Sequence, residues 1–172
     1  MHTLPDGTQI LIRPIDATDK LRLSVALGRL SQETIHRRFL AAKPRLSAAE
    51  LRYLTEIDGR HHIALVAVSP DDPDVLIGVA RSVRVAPATA EMAVIVTDAW
   101  QGVGLGGALA EALADAAGAG GIRRLAAVMA ADNEPARRLM LRIARRLDAD
   151  DPQLVDGGVR GGVRELTVDL AG

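Results

Sequence analysis

Residues 101–107, Gln101-Gly102-Val103-Gly104-Leu105-Gly106-Gly107, are the part of this chain whose spacing most directly implies chemistry. Four glycines in six positions leave the backbone N–H groups open to approach, and the segment runs into an apolar stretch, Leu105 to Ala117, that reads as a helix. The first N–H groups of a helix have no partner within it, and the helix dipole adds positive charge there. A glycine loop feeding a helix start is therefore an anion site, suited to phosphate. Other readings compete. The glycines could serve only tight strand-to-helix packing. Gly102-x-Gly104-x-x-Gly107 also spells the dinucleotide fingerprint G-x-G-x-x-G. That motif should follow its strand almost directly, whereas Thr97 to Gln101 intervene here. The acidic ribose ligand expected about 20 residues later has no good candidate near Ile122. A nucleotide P-loop fails because no Gly-Lys-Ser/Thr follows.

The elements that must hold this segment can be read from periodicity and turn signals. Asp6-Gly7 is a turn, and Gln9 to Arg13 a short strand ended by Pro14. Asp16 to Leu30 favours a helix with Thr18 or Asp19 as N-cap, and Ser31 to Leu40 a second, short one. Ser47-Ala48-Ala49-Glu50 is a capping box, which predicts a helix from Ala48 to Ile57. Ile63 to Val68 reads as a buried strand and Val75 to Val85 as its antiparallel partner across a Pro70–Pro73 turn. Glu91 to Val96 is a third strand. After the glycine segment and its helix come a strand at Ile122 to Met129 and a helix at Glu134 to Leu147 with an arginine-rich outer face. A last strand at Val163 to Leu170 follows a glycine-rich stretch, Gly157 to Gly162, read as a loop. This order describes a mixed α/β (α+β) sheet domain, expected to be one domain over 1–172.

Composition removes whole classes of function. The chain has no cysteine, so disulfides, thiolate metal sites and cysteine nucleophiles are excluded. The four histidines, His2, His36, His61 and His62, lack the i, i+4 spacing of a helical metal site. A net charge of −1 and an aromatic content of 2% argue against nucleic acid and against an anionic membrane surface. No charge-free apolar window of about 18 residues exists, and Met1 to Asp6 lack the regions of a signal peptide. The expectation is a metal-free cytoplasmic enzyme.

The spacing Gln101-x-x-Gly104-x-Gly106 resembles the Gln/Arg-x-x-Gly-x-Gly/Ala signature of the GCN5-related N-acetyltransferases. Glu91-Met92-Ala93-Val94-Ile95-Val96 is similar to that family's central strand, and Asn133-Glu134-Pro135-Ala136 to its asparagine turn. Leu4-Pro5-Asp6-Gly7, Ile12-Arg13-Pro14, Leu30-Ser31-Gln32-Glu33-Thr34 and Arg38-Phe39 resemble the bacterial protein lysine acetyltransferase branch.

The resemblance implies a GNAT-like acyl-CoA N-acyltransferase fold, with a mostly antiparallel splayed sheet flanked by helices. It implies an acetyl-CoA-dependent N-acetyltransferase acting on a primary amine, with a protein lysine as favoured acceptor. On this reading Gln101, Gly102, Val103, Gly104, Leu105, Gly106 and Gly107 form the pyrophosphate loop. Val94, Ile95 and Val96 offer backbone groups to the pantetheine arm. One strand N–H stabilises the oxyanion. Asn133 contacts the coenzyme or caps the following helix, and Arg142 reaches its adenosine or phosphate end. Attack on a thioester needs a neutral amine, hence a base. Glu91, opening an otherwise apolar strand, is the candidate, with His61 and His62 as rivals. The family's tyrosine acid has no counterpart, since Met140 stands seven residues after Asn133. The acceptor cleft is expected from the Ser31–Tyr53 helices and the Gly157–Gly162 loop. Two alternatives remain: a non-catalytic acyl-CoA sensor or interaction module of the same fold, or an enzyme for small-molecule amines.

Overall fold

The computed structural model describes residues 1–39, 46–148 and 150–170, of which Arg38 and Phe39 are described in backbone only. The last residue of the expected helix ending at Leu40, and the middle of the Ser31–Tyr53 stretch, lie outside the described residues.

One sheet organises the molecule. Its strands are β1 (His2–Thr3), β2 (Gln9–Pro14), β3 (His62–Val68), β4 (Leu76–Ala86), β5 (Thr89–Val96), β6 (Arg124–Ala130), β7 (Leu154–Arg160) and β8 (Val163–Asp169), in spatial order β1-β2-β3-β4-β5-β6-β8-β7. Every neighbouring pair is antiparallel except β5 and β6, which run parallel. A parallel pair needs a crossover, and the helix α4 (Leu105–Ala119) supplies it. β3 is buried along its whole length, as its unbroken apolar run requires.

The two faces of the sheet are covered differently. On one, α4 buries Leu105, Leu109 and Leu113 against β3, β4 and β5, beside α5 (Glu134–Leu147) with Met140, Ile143 and Ala144 inward. Leu109 lies so close to β4 that a Cβ on Gly78 would sit 2.7 Å from its Cδ1. On the other face α1 (Lys20–Gly28) and α3 (Ala48–Thr55) cover Ala64, Val66, Val68, Leu76 and Val79. The capping box predicted for α3 is present, Ser47 Oγ accepting from Glu50 N and the Glu50 carboxylate from Ser47 N. The short α2 (Gln32–Phe39) packs beside β5 and β6.

Two expectations need correction. The Gly157–Gly162 stretch is not a loop. β7 and β8 form a hairpin whose turn residues Gly161 and Gly162 both have positive φ, 58° and 78°, as a tight hairpin turn of this twist demands. The register slips between Asp156 and Val159, so Gly157 and Gly158 form a bulge inside a strand. Reading the glycines as a loop missed the strand that contains them.

The second correction concerns the start of α1, which begins at Lys20 after a 3-10 turn over Ala17–Asp19. Asp16 caps that turn, accepting from Thr18 N; of the two expected caps, Asp19 and not Thr18 stands at the N-cap of α1, though its side chain makes no cap hydrogen bond there. Asp19 is fully buried instead, gripped by the Arg13 guanidinium at 2.7 and 2.8 Å and by Asp16 N–H at 3.0 Å. Burial pushes its pKa up, but the Arg13 fork and the Asp16 N–H outweigh this and hold it below the ordinary 3.8. Asp19→Ala removes the buried acceptor but leaves Arg13 part-exposed and 3.8 Å from Asp16, so it is expected to cost about 1–3 kcal/mol, the worth of the lost charge-assisted hydrogen bonds, in urea unfolding near neutral pH. Because the folded carboxylate is the stronger acid, its contribution is complete above pH 3.8 and lost as pH falls through the lower folded value. Wild type and variant should therefore converge in stability toward strongly acidic pH.

Candidate functional site

The parallel pair β5–β6 is joined over only three rungs, Thr89↔Arg124, Ala90↔Leu125 and Glu91↔Ala126. Beyond them the strands part, although β5 stays paired with β4 as far as Val96↔Gly78. The split opens a cavity of about 670 Å³, walled by Met92 to Val96 of β5, by Ala127, Val128 and Met129 of β6, by Thr34 and Arg37 of α2, and by α5.

Alternation along β5 decides which backbone groups face this cleft. Thr97 N donates to Ile77 O of β4 at 3.0 Å, so the amides of Ile95 and Ala93, at even spacing from it, also face β4. Those of Met92, Val94 and Val96 face β6; the last rung takes up that of Met92, and those of Val94 and Val96 face the split. Of the three strand residues expected to offer backbone groups, Val94 and Val96 present theirs to the cleft and Ile95 does not. Ile95 packs its side chain toward α1 and α3.

The glycine turn closes one end of the cleft. Gly102 and Gly104 have φ of 80° and 95°, conformations glycine adopts without strain. A Cβ on Gly104 would also lie 2.7 Å from Pro5 Cδ, so this glycine is required by the fold itself. Gly104 occupies the N-cap of α4 without a side-chain cap, and no acidic residue stands in the first turn. Among the described residues, no protein acceptor takes the N–H groups of Gly102 to Gly107, and the first bond into the turn is Ala108 N to Gly104 O at 3.1 Å. The positive end of α4 thus opens into the cavity lined by Gly102, Gly104, Gly106 and Gly107. Leu105 is fully buried and Val103 packs against the core, so their side chains anchor the turn.

Gln101 is exposed at the rim of the cleft, and its amide reaches across to α2 and β5. Its Nε2 donates to Thr34 Oγ1 at 2.9 Å and to Val96 O at 3.1 Å, occupying one carbonyl of the free β5 edge. Asp98, which sequence reasoning passed over, completes this clamp by accepting from Thr34 Oγ1, Ser31 Oγ and Ser31 N. Those donors, Thr34 first, hold its pKa below the usual carboxylate value. Asn133 is 8% exposed and uses both ends of its amide: Oδ1 caps α5 by accepting from Ala136 N, and Nδ2 donates to Arg37 O of α2. Arg142 lies against the turn, its guanidinium 2.8 Å from where a Gly107 Cβ would stand, and donates to Glu111 of α4 at 2.6 Å.

Glu91 stands at the head of the cleft on the last paired rung, exposed to solvent and just outside the wall that begins at Met92. Its neighbours Ala90 and Met92 turn into the α4–α5 core, which leaves Glu91 on the opposite face. His61 and His62 lie elsewhere. His61 pairs with Asp58 at 2.8 Å, and His62 is buried beside Tyr53 and Arg81, with a pKa lowered to about 4 chiefly by burial. Met140 is buried in the core and carries no proton for a leaving group. Sequence reasoning missed Met92, Thr34 and Arg138 as cleft residues. Strand alternation from Thr97 could have found the first, but nothing local pairs the other two with the split.

The model of the acetyltransferase (GNAT) family matches residues 31–144. An acetyltransferase of Pseudomonas aeruginosa is 34% identical over 155 residues, 88% of this chain and 83% of the relative. Among solved structures, the GNAT domain of PAT from S. lividans is 30% identical with a TM-score of 0.83, covering 98% of this chain and 94% of that one. A putative acetyltransferase from Salmonella typhimurium, solved with acetyl-CoA, shares the fold at 20% identity, with a TM-score of 0.69 over 96% of each chain. The splayed pair and the open helix start are thus found on a chain that belongs to the acetyltransferase (GNAT) family.

Proposed function

We propose that this chain, acting as one domain over 1–172, transfers an acetyl group from acetyl-CoA to a primary amine, with a protein lysine as the favoured acceptor. The observation that carries the reading is the continuity of the cleft. A free strand edge at Val94 and Val96 leads to the unbonded N–H groups of the glycine turn. An extended amide-bearing arm ending in a pyrophosphate matches both ends, the arm as an added strand and the phosphates at the helix start. The thioester then lies toward the fork, where a strand N–H meets the developing oxyanion. Glu91, the one acidic side chain on β5, takes the ammonium proton directly or through one water. The amine nitrogen bonds to the acetyl carbon, the carbon–sulfur bond breaks, and the coenzyme leaves as thiolate. With Met140 in the tyrosine's place, solvent, or the proton that the attacking nitrogen sheds as the amide forms, reprotonates it.

A lysine acceptor is supported by the resemblance of the opening segments to the bacterial protein lysine acetyltransferase branch and by the open sheet face beside Glu91, where Val128 and Val155 are 50% and 59% exposed. Thiol release from acetyl-CoA tests the function. Turnover is expected with lysine-containing proteins or peptides, and far less with free small amines. Faster turnover of small amines would move the acceptor to that class. Binding without turnover of any amine would make the domain a sensor.

A further inference from the structure

We propose that Arg138 is the cation that pairs with a phosphate group of the acyl donor at the mouth of the cleft; this rests on reading the glycine turn as the donor's phosphate site. Helix α5 carries five arginines, and they are not equivalent. Arg137 forks onto Glu134, Arg142 donates to Glu111, and Arg146 pairs with Asp115. Among the described residues, no carboxylate lies within ion-pair distance of Arg138 or Arg145. Arg145 lies off the cleft. Arg138 lines it, on the stripe Pro135, Arg138, Leu139 and Arg142 that faces the glycine turn.

The other two guanidinium groups on the cleft wall are neutralised, Arg37 by Glu33 at 2.6 Å and Arg142 by Glu111. Glu134, one turn before Arg138, feels its field but is held by Arg137. An unpaired arginine on a helix surface is ordinarily solvated. Here the unpaired one shares a cavity with the unbonded N–H groups at the start of α4, and its paired neighbours do not compete for the same anion. A guanidinium fork fits phosphate oxygens two at a time. The donor offers two candidates, the pyrophosphate and the 3′-phosphate of its ribose.

Calorimetric titration with coenzyme A and with 3′-dephospho-coenzyme A, at low and high salt, tests the assignment. Arg138→Gln is expected to weaken coenzyme A binding about tenfold or more and to reduce its salt dependence. Arg145→Gln removes the same charge from the same helix and should change neither. If Arg138→Gln weakens only coenzyme A, the partner is the 3′-phosphate; if it weakens both ligands alike, the partner is the pyrophosphate. Wild-type affinity and salt dependence in Arg138→Gln would overturn the proposal. Failure of the wild type to bind coenzyme A would instead overturn the reading of the glycine turn.

Discussion

Gly106→Asp is expected to abolish acetyl-CoA binding in a protein as stable as the wild type or more so. Gly106 is the one glycine of the turn where this experiment is clean. It lies inside α4 with negative φ, and a Cβ there would meet Leu139 Cδ2 at 3.5 Å and Val96 Cγ2 at 3.7 Å, which is ordinary contact. Replacing a helical glycine by alanine gains roughly 0.5–1 kcal/mol; aspartate, a poorer helix former, gains only part of that, and its carboxylate in the first turn adds about 0.3–1 kcal/mol through the dipole. The same carboxylate would occupy the anion site. Like charges about 4 Å apart at a partly exposed site repel by roughly 4 kcal/mol, some three orders of magnitude in affinity. Gly106→Ala should bind nearly as the wild type does. Gly104 cannot serve as the probe, because its φ of 95° and the approach of Pro5 make any side chain there a folding defect. Calorimetry beside thermal unfolding separates the two effects. A stable Gly106→Asp protein that still binds acetyl-CoA would remove the phosphates from the start of α4.

Glu91→Gln is expected to lower kcat about 100- to 10,000-fold and leave the KM for acetyl-CoA unchanged. Glutamine keeps the size and the exposed position but cannot accept the ammonium proton. Since Glu91 lies outside the cleft wall that begins at Met92, donor binding there has no reason to change. The limb of the pH–rate profile that reports the base should vanish with it. A variant with the wild-type profile would transfer the role to water or to the acceptor's own surroundings.

How much was legible in the sequence follows from how local each signal is. The turn that starts α4, the three antiparallel strands before it and the asparagine cap of α5 are set by neighbouring residues, and these elements form where the sequence places them. The hairpin of β7 and β8 was hidden because its glycines serve a bulge and a turn within paired strands, which composition cannot tell from a loop. Asp19 reads as a helix cap by position, but its partner Arg13 sits on a different element. The same limit applies to the cleft. Strand alternation separates Val94 and Val96 from Ile95, but only the shortness of the β5–β6 ladder reveals that their amides are unpaired. Gln101 shows the limit from the other side. Its place in the signature points to the phosphates, and nothing local announces that its side chain also braces α2 against the free edge of β5.

The crystal structure of the acetyl-CoA complex tests the central claim most directly. It should show the pantetheine amides hydrogen-bonded to the backbone of Val94 and Val96, and the pyrophosphate within hydrogen-bond distance of the N–H groups at Gly104 to Gly107. The thioester should lie at the fork near Glu91. A coenzyme bound outside the split, with those N–H groups still facing water, would contradict it.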